Sequence, residues 1–126
     1  REIIHEELGR FAQKLKDTPE PVGTGNMLDN TLLFFGSASS AFHLSRNYPI
    51  ILMGGKQMGF NHGQYINNAG ANPQGGPWDG GQEPWQEDIQ KEDAPLGNVY
   101  VTMLKQLGVQ VDSFGGSNGE VKALVS

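Results

Sequence analysis

The chain contains no cysteine, which excludes a disulfide framework and any thiolate metal site and leaves its redox compartment open. It has no apolar run near the roughly 20 residues needed to cross a bilayer, and no signal peptide is visible. Basic charge is scarce: 9 Lys and Arg stand against 14 Asp and Glu, for a formal net charge of -5 and a pI near 5.0. That balance offers no basic footprint for nucleic acid or for an anionic membrane surface, so neither partner is expected. The acidic residues are scattered, as on an ordinary solvated surface, and are not gathered into a tail. No internal repeat is present.

What is there fills 126 residues, the size of one domain or a piece of one. The hydrophobic fraction of 37% is low because 18 glycines and 7 prolines make up about a fifth of the chain, 11 of them in residues 55–93. The core must come from the remaining segments. Residues 1–17 place Ile4, Leu8, Phe11 and Leu15 on one face at helical spacing, with acids early and Lys14 and Lys16 late, as the helix dipole favours. His5 reads as a solvated histidine beside two glutamates, Glu6 and Glu7, with a ligand role as the alternative. Asp17-Thr18-Pro19-Glu20-Pro21 ends that helix, because proline offers no donor and biases its predecessor away from helical angles.

Two short apolar runs follow, Leu32-Leu33-Phe34-Phe35 and Ile50-Ile51-Leu52-Met53. Each is uncharged and bounded by small residues, which predicts core strands near 31–36 and 49–54, buried on both faces. From Gly55 to Asp93 the pattern dissolves into a Gly-rich loop, although Gly55 to Ile66 could hold a short hairpin or edge strand. Trp78 and Trp85 argue that this loop packs on something, its own domain or a flat ligand, with Tyr65 and Phe60 as further stacking surfaces. Leu96, Val99, Tyr100, Met103, Leu104 and Leu107 then mark a helix over 95–107, with Pro95 in its first turn and Gly108 as its C-terminal cap. Val109-Gln110-Val111 is expected as a third short strand or an extended exit.

The order indicates an α/β class. Three strands leave exposed edges, and the chain begins in helical pattern without an initiator methionine, so residues 1–126 are expected to be a partial α/β domain. Free edges and an uncovered helix face predict self-association. In an open parallel sheet, ligands bind beyond the carboxyl ends of the strands. There the sequence places Ser37, Ser39, Ser40, His43 and Arg46. Arg46, with Ser37 nearby, could hold an anion, since guanidinium binds phosphate, sulfate or carboxylate bidentately; a surface salt bridge is the alternative. The serines read as turn residues, because no base and no Gly-x-Ser-x-Gly elbow accompanies them.

Taken together, Leu28-Asp29-Asn30-Thr31, Gly36-Ser37, His43-x-Ser45-Arg46-Asn47-x-Pro49, Gly54-Gly55, His62-Gly63-Gln64, Pro95-Leu96-x-Asn98-x-Tyr100, Leu107-Gly108-Val109 and Val111-Asp112-Ser113-Phe114-Gly115 form an ordered series. The series resembles the C-terminal part of an uncharacterised exported bacterial protein family, itself similar to the alkaline phosphatase and sulfatase-like superfamily. The resemblance spans most of the chain outside 67–92. It implies an alkaline-phosphatase-like sandwich, a periplasmic or secreted parent protein, and a divalent metal (zinc, calcium or magnesium) that polarises a phosphate or sulfate ester. His43 and His62 are the histidines that match; outside the resemblance, Asp79 and Asp88 of the long loop could add oxygen donors. The alternative for each histidine is a loop residue bonded to backbone. After Phe35 the sequence supplies Gly36-Ser37-Ala38-Ser39-Ser40, with no carboxylate or histidine for a metal.

Two functions are therefore expected in competition. One is a metal-dependent hydrolase in the full-length parent, with this chain inactive alone. The other is a non-catalytic binding or surface-assembly protein on the same scaffold.

Overall fold

The computed structural model describes residues 2–37, 48–68 and 94–126. Within them lie two α-helices and a two-stranded antiparallel sheet, in the order α1 (Glu2–Asp17), β1 (Leu32–Gly36), β2 (Ile50–Gly54) and α2 (Leu96–Gln106). No helix among the described residues is long and apolar enough to cross a membrane.

The sheet corrects two expectations. β1 and β2 are antiparallel, with Leu32 opposite Gly54, Phe34 opposite Leu52 and Gly36 opposite Ile50, and so do not belong to a parallel layer. A parallel pair needs a crossover of roughly a dozen residues or more, usually helical, whereas an antiparallel pair needs only a return loop. The turn-forming sequence after Gly36 suits the return. Among the described residues, no third strand joins the sheet and no sandwich forms. Val109 is engaged elsewhere, because its N–H donates to Leu104 O (2.9 Å) while Gly108 N–H donates to Lys105 O (3.0 Å). With Gly108 at φ 82, this is the paired closure of a Schellman motif. The backbone that could have started a strand finishes α2.

The strands are also less buried than their uniform apolarity predicts: Phe34 is 37% and Ile51 42% exposed. Side chains alternate across a strand, so Phe34 and Phe35 point to opposite faces. Phe35 meets His5 of α1 edge-on at 6.1 Å between ring centroids, and Phe34 meets Tyr100 of α2 at 5.7 Å. One helix thus touches each face of the two-stranded sheet.

α1 is anchored at its end. Leu15 is 9% exposed, while Ile4 and Phe11 on the same stripe are 56% and 50% exposed. The Thr18 hydroxyl closes the helix by donating to Lys14 O (2.6 Å). Beyond it, Asn26 and Asp29 bond reciprocally, each side-chain oxygen accepting the other residue's backbone N–H at 3.1 Å. That turn delivers Leu28 O to Gly55 N (2.9 Å) and Asp29 O to Gln57 N (2.9 Å), which ties the start of β1 to the end of β2. Gly54 must be glycine here: it has φ 78, and a Cβ would lie 2.1 Å from Thr31 O.

In place of a hairpin after β2, Lys56–Met58 forms a 3-10 turn between Gly55 (φ 71) and Gly59 (φ 85). Phe60, buried, then forms an isolated bridge with Val125. Asn61 N donates to Leu124 O (2.8 Å) and Ser126 N to Gly59 O (3.1 Å), so the last residues lie alongside residues 59–61.

Candidate functional site

Most of the residues singled out in the sequence, namely Ser39, Ser40, His43, Arg46, Trp78, Asp79, Trp85 and Asp88, lie outside the described residues. Ser37, Phe60, His62 and Tyr65 lie within them. Ser37 leaves β1 and donates its N–H to Pro49 O (3.4 Å). His62 returns to the far end of β2, where Nε2 bonds Gly54 O. With about 3.3 Å per strand residue, Ser37 and His62 sit roughly 15 Å apart at opposite ends of the sheet. Antiparallel pairing separates the two strand exits that a parallel sheet would have brought side by side.

The His62 contact has a clear structural reason. Since Ser37 and Pro49 are a bonded pair, alternation makes 35 with 51 and 33 with 53 the next bonded pairs. The backbone groups of Leu32, Phe34, Gly36, Ile50, Leu52 and Gly54 therefore point away from the partner strand. His62 satisfies the outward carbonyl of Gly54, with its ring stacked near Phe60 at 6.4 Å. Phe60 is buried against the terminal segment, so it serves packing and not ligand stacking, whereas Tyr65 is exposed. Among the described residues, no group of three or more His, Asp or Glu side chains is placed to hold a metal ion.

Two features were not legible in advance as parts of a site. The first is an open apolar groove of about 340 Å³ lined by Tyr100, Met103, Leu104, Leu107 and Phe114. Tyr100 stands between Phe34 and Phe114, edge-on to the latter at 6.0 Å, so the aromatic row runs from the sheet across α2 to the loop beyond it. The helical period of Tyr100, Met103, Leu104 and Leu107 announced this face, but nothing local announced Phe114.

The second is a polar seam on the opposite side of α2. Asn98, Thr102 and Lys105 recur at four and three residues, one helical face, and each holds the C-terminal segment. Asn98 Oδ1 accepts from Asn118 N (2.9 Å) and Gly119 N (3.1 Å), while its Nδ2 donates to Asn118 Oδ1 (2.9 Å). The Thr102 hydroxyl accepts from Val121 N (2.9 Å) and donates to Asn98 O (2.8 Å). Lys105 Nζ pairs with Glu120 Oε1 at 2.6 Å. Asn98 and Thr102 are buried, and such polar groups persist inside a fold only when bonded. Gly97 lets the loop approach: a Cβ there would lie 2.6 Å from both Phe114 O and Gly115 O. Polar residues within an apolar helical period are the signal that could have found the seam.

Comparison with protein-family models, with curated proteins and with solved structures gave no match.

Proposed function

We propose that the chain is a non-catalytic assembly element, an exported scaffold of the alkaline-phosphatase or sulfatase-like kind, that pairs with a second copy of itself through the open edge of β1. What supports this reading is that edge. Leu32, Phe34 and Gly36 turn their backbone groups outward, and among the described residues no strand pairs with them. The edge carries no charge, no proline and no bulge, the devices that normally guard a free strand. β2 differs, since His62 occupies its outward carbonyl at Gly54. An antiparallel β1 pair about a twofold axis presents the same donor and acceptor row from both copies and is self-complementary. A twofold axis near Phe34 sets Leu32 against Gly36 of the other copy.

The hydrolase reading, with His43 and His62 on a divalent metal in the full-length parent, has less behind it. His62 is engaged with Gly54 and stands a strand length from Ser37. Sedimentation across a concentration series tests the assembly reading, with Phe34→Lys as the variant. A dimer for the unchanged chain that becomes a monomer in the variant supports it; a monomer at all concentrations overturns it. Tight zinc, calcium or magnesium binding that depends on His62 would restore the hydrolase reading.

A further inference from the structure

Asn118 is followed by Gly119. A glycine amide has no Cβ to shield it, and asparagine is among the thermolabile residues. The reaction available to this pair is intramolecular. Gly119 N attacks Asn118 Cγ, the N–Cγ bond forms, the Cγ–Nδ2 bond breaks, and ammonia leaves with the former amide proton of Gly119. Water then opens the cyclic imide at one carbonyl or the other, giving aspartate or isoaspartate. No electrons are transferred, and water is the sole co-reactant.

One buried side chain holds both reacting groups. The Gly119 N–H points at Asn98 Oδ1 (3.1 Å), and the Asn118 carboxamide is held through its Oδ1 by Asn98 Nδ2 (2.9 Å). The Asn118 N–H is held by the same Oδ1 at 2.9 Å. Ring closure must turn the Gly119 nitrogen from Asn98 toward Asn118 Cγ, which breaks these bonds together. Two residues on, Val121 N is fixed by Thr102, so the segment cannot rotate freely at its far end.

We propose that Asn118–Gly119 is a latent self-modification site that Asn98 keeps closed, and that it reacts when the C-terminal segment detaches from α2. Isoaspartate adds a carbon to the backbone, so a segment that has reacted no longer fits its bonds to Asn98. The modification is then an irreversible record of opening.

The test incubates the full chain at mildly alkaline pH, at a temperature where circular dichroism shows it folded, and follows residue 118 by peptide mass and isoaspartate labelling. The folded chain should retain Asn118 while the urea-unfolded chain converts. Losing buried hydrogen bonds raises the open population, so Asn98→Ala should convert roughly tenfold faster or more. Asn98→Asp keeps the oxygen that accepts the Gly119 N–H and should convert more slowly than Asn98→Ala. Gly119→Ala, whose methyl meets nothing within 4 Å, should suppress conversion in every background. If Asn98→Ala does not fold, Thr102→Val removes the bond to Val121 N while leaving the Asn98 side chain in place, and should also accelerate conversion. Conversion of the folded chain at the unfolded rate, or no acceleration in the loosened variants, overturns the proposal.

Discussion

Asn98 of α2 and Asn118 of the C-terminal segment bond to each other twice, Nδ2 to Oδ1 and Oδ1 to backbone N, each at 2.9 Å. The orientation of the Asn98 amide follows from its surroundings. Two backbone N–H groups face its oxygen, which leaves the nitrogen for the Asn118 carbonyl. A residue buried in the first turn of a helix thereby organises a segment 20 residues later in the chain.

Asn98→Ala removes the acceptor of two backbone donors, those of Asn118 and Gly119, at a part-buried site. The expected loss is about 1–2 kcal/mol, the net worth of the lost hydrogen bonds, since Asn118 and Gly119 are themselves exposed and water can reach the freed donors. Urea unfolding should show a lower midpoint with an unchanged slope. A loss below about 0.5 kcal/mol, the range of an ordinary surface substitution, would refute the anchoring role.

Glycine substitutions should separate crowding from backbone strain. Gly97→Ala puts a methyl against Phe114 O and Gly115 O at 2.6 Å. It must displace that loop, at a cost of roughly 1–3 kcal/mol or more. Gly108→Ala meets no atom within 4 Å but holds φ 82, so it should cost only the left-handed penalty of about 1–2 kcal/mol. Thermal unfolding of the pair checks this, and Gly97→Ala should also alter Phe114 resonances while Gly108→Ala leaves them in place.

His62→Ala removes the bond to Gly54 O at an exposed position. The expected effect is about 1 kcal/mol of stability, unchanged by chelator. If the loss appears only when metal is present, His62 is a ligand and its bond to the sheet is incidental.

Thr102→Val keeps the shape of a buried side chain and deletes the hydroxyl that accepts from Val121 N. A loss of about 1–3 kcal/mol is expected, and amide exchange at Val121 should accelerate while exchange in β1 and β2 stays the same.

Much of the architecture was legible in the sequence. The stripe of α1, the stripe of α2 and the two apolar runs are local periodic signals, and each element forms where its period places it. Strand direction was not legible, because Leu32–Phe35 and Ile50–Met53 have the same apolar pattern in either sense. Their uniform apolarity also suggested burial on both faces, although Phe34 and Ile51 remain partly open. The seam was missed for another reason. Asn98 and Thr102 are ordinary helix residues by composition, and their role is set by Asn118 and Val121, about 20 residues away. His62 offered imidazole chemistry in the sequence, but its placement depends on the direction of β2, which fixes where the Gly54 carbonyl points.

The bridge between Phe60 and Val125 sets an order on folding. Asn61 finds Leu124 and Ser126 finds Gly59 across more than 60 residues, as Phe34 finds Tyr100, so these contacts close long loops and bear a large closure entropy. α1, the Asn26–Asp29 turn and the β1–β2 pair can form from shorter-range encounters. During synthesis Phe34 stays uncovered until α2 emerges from the ribosome, and the ring of Phe60 until residues 124–126 do. Throughout that interval the edge of β1, with which no further described strand pairs, is presented to any neighbouring copy.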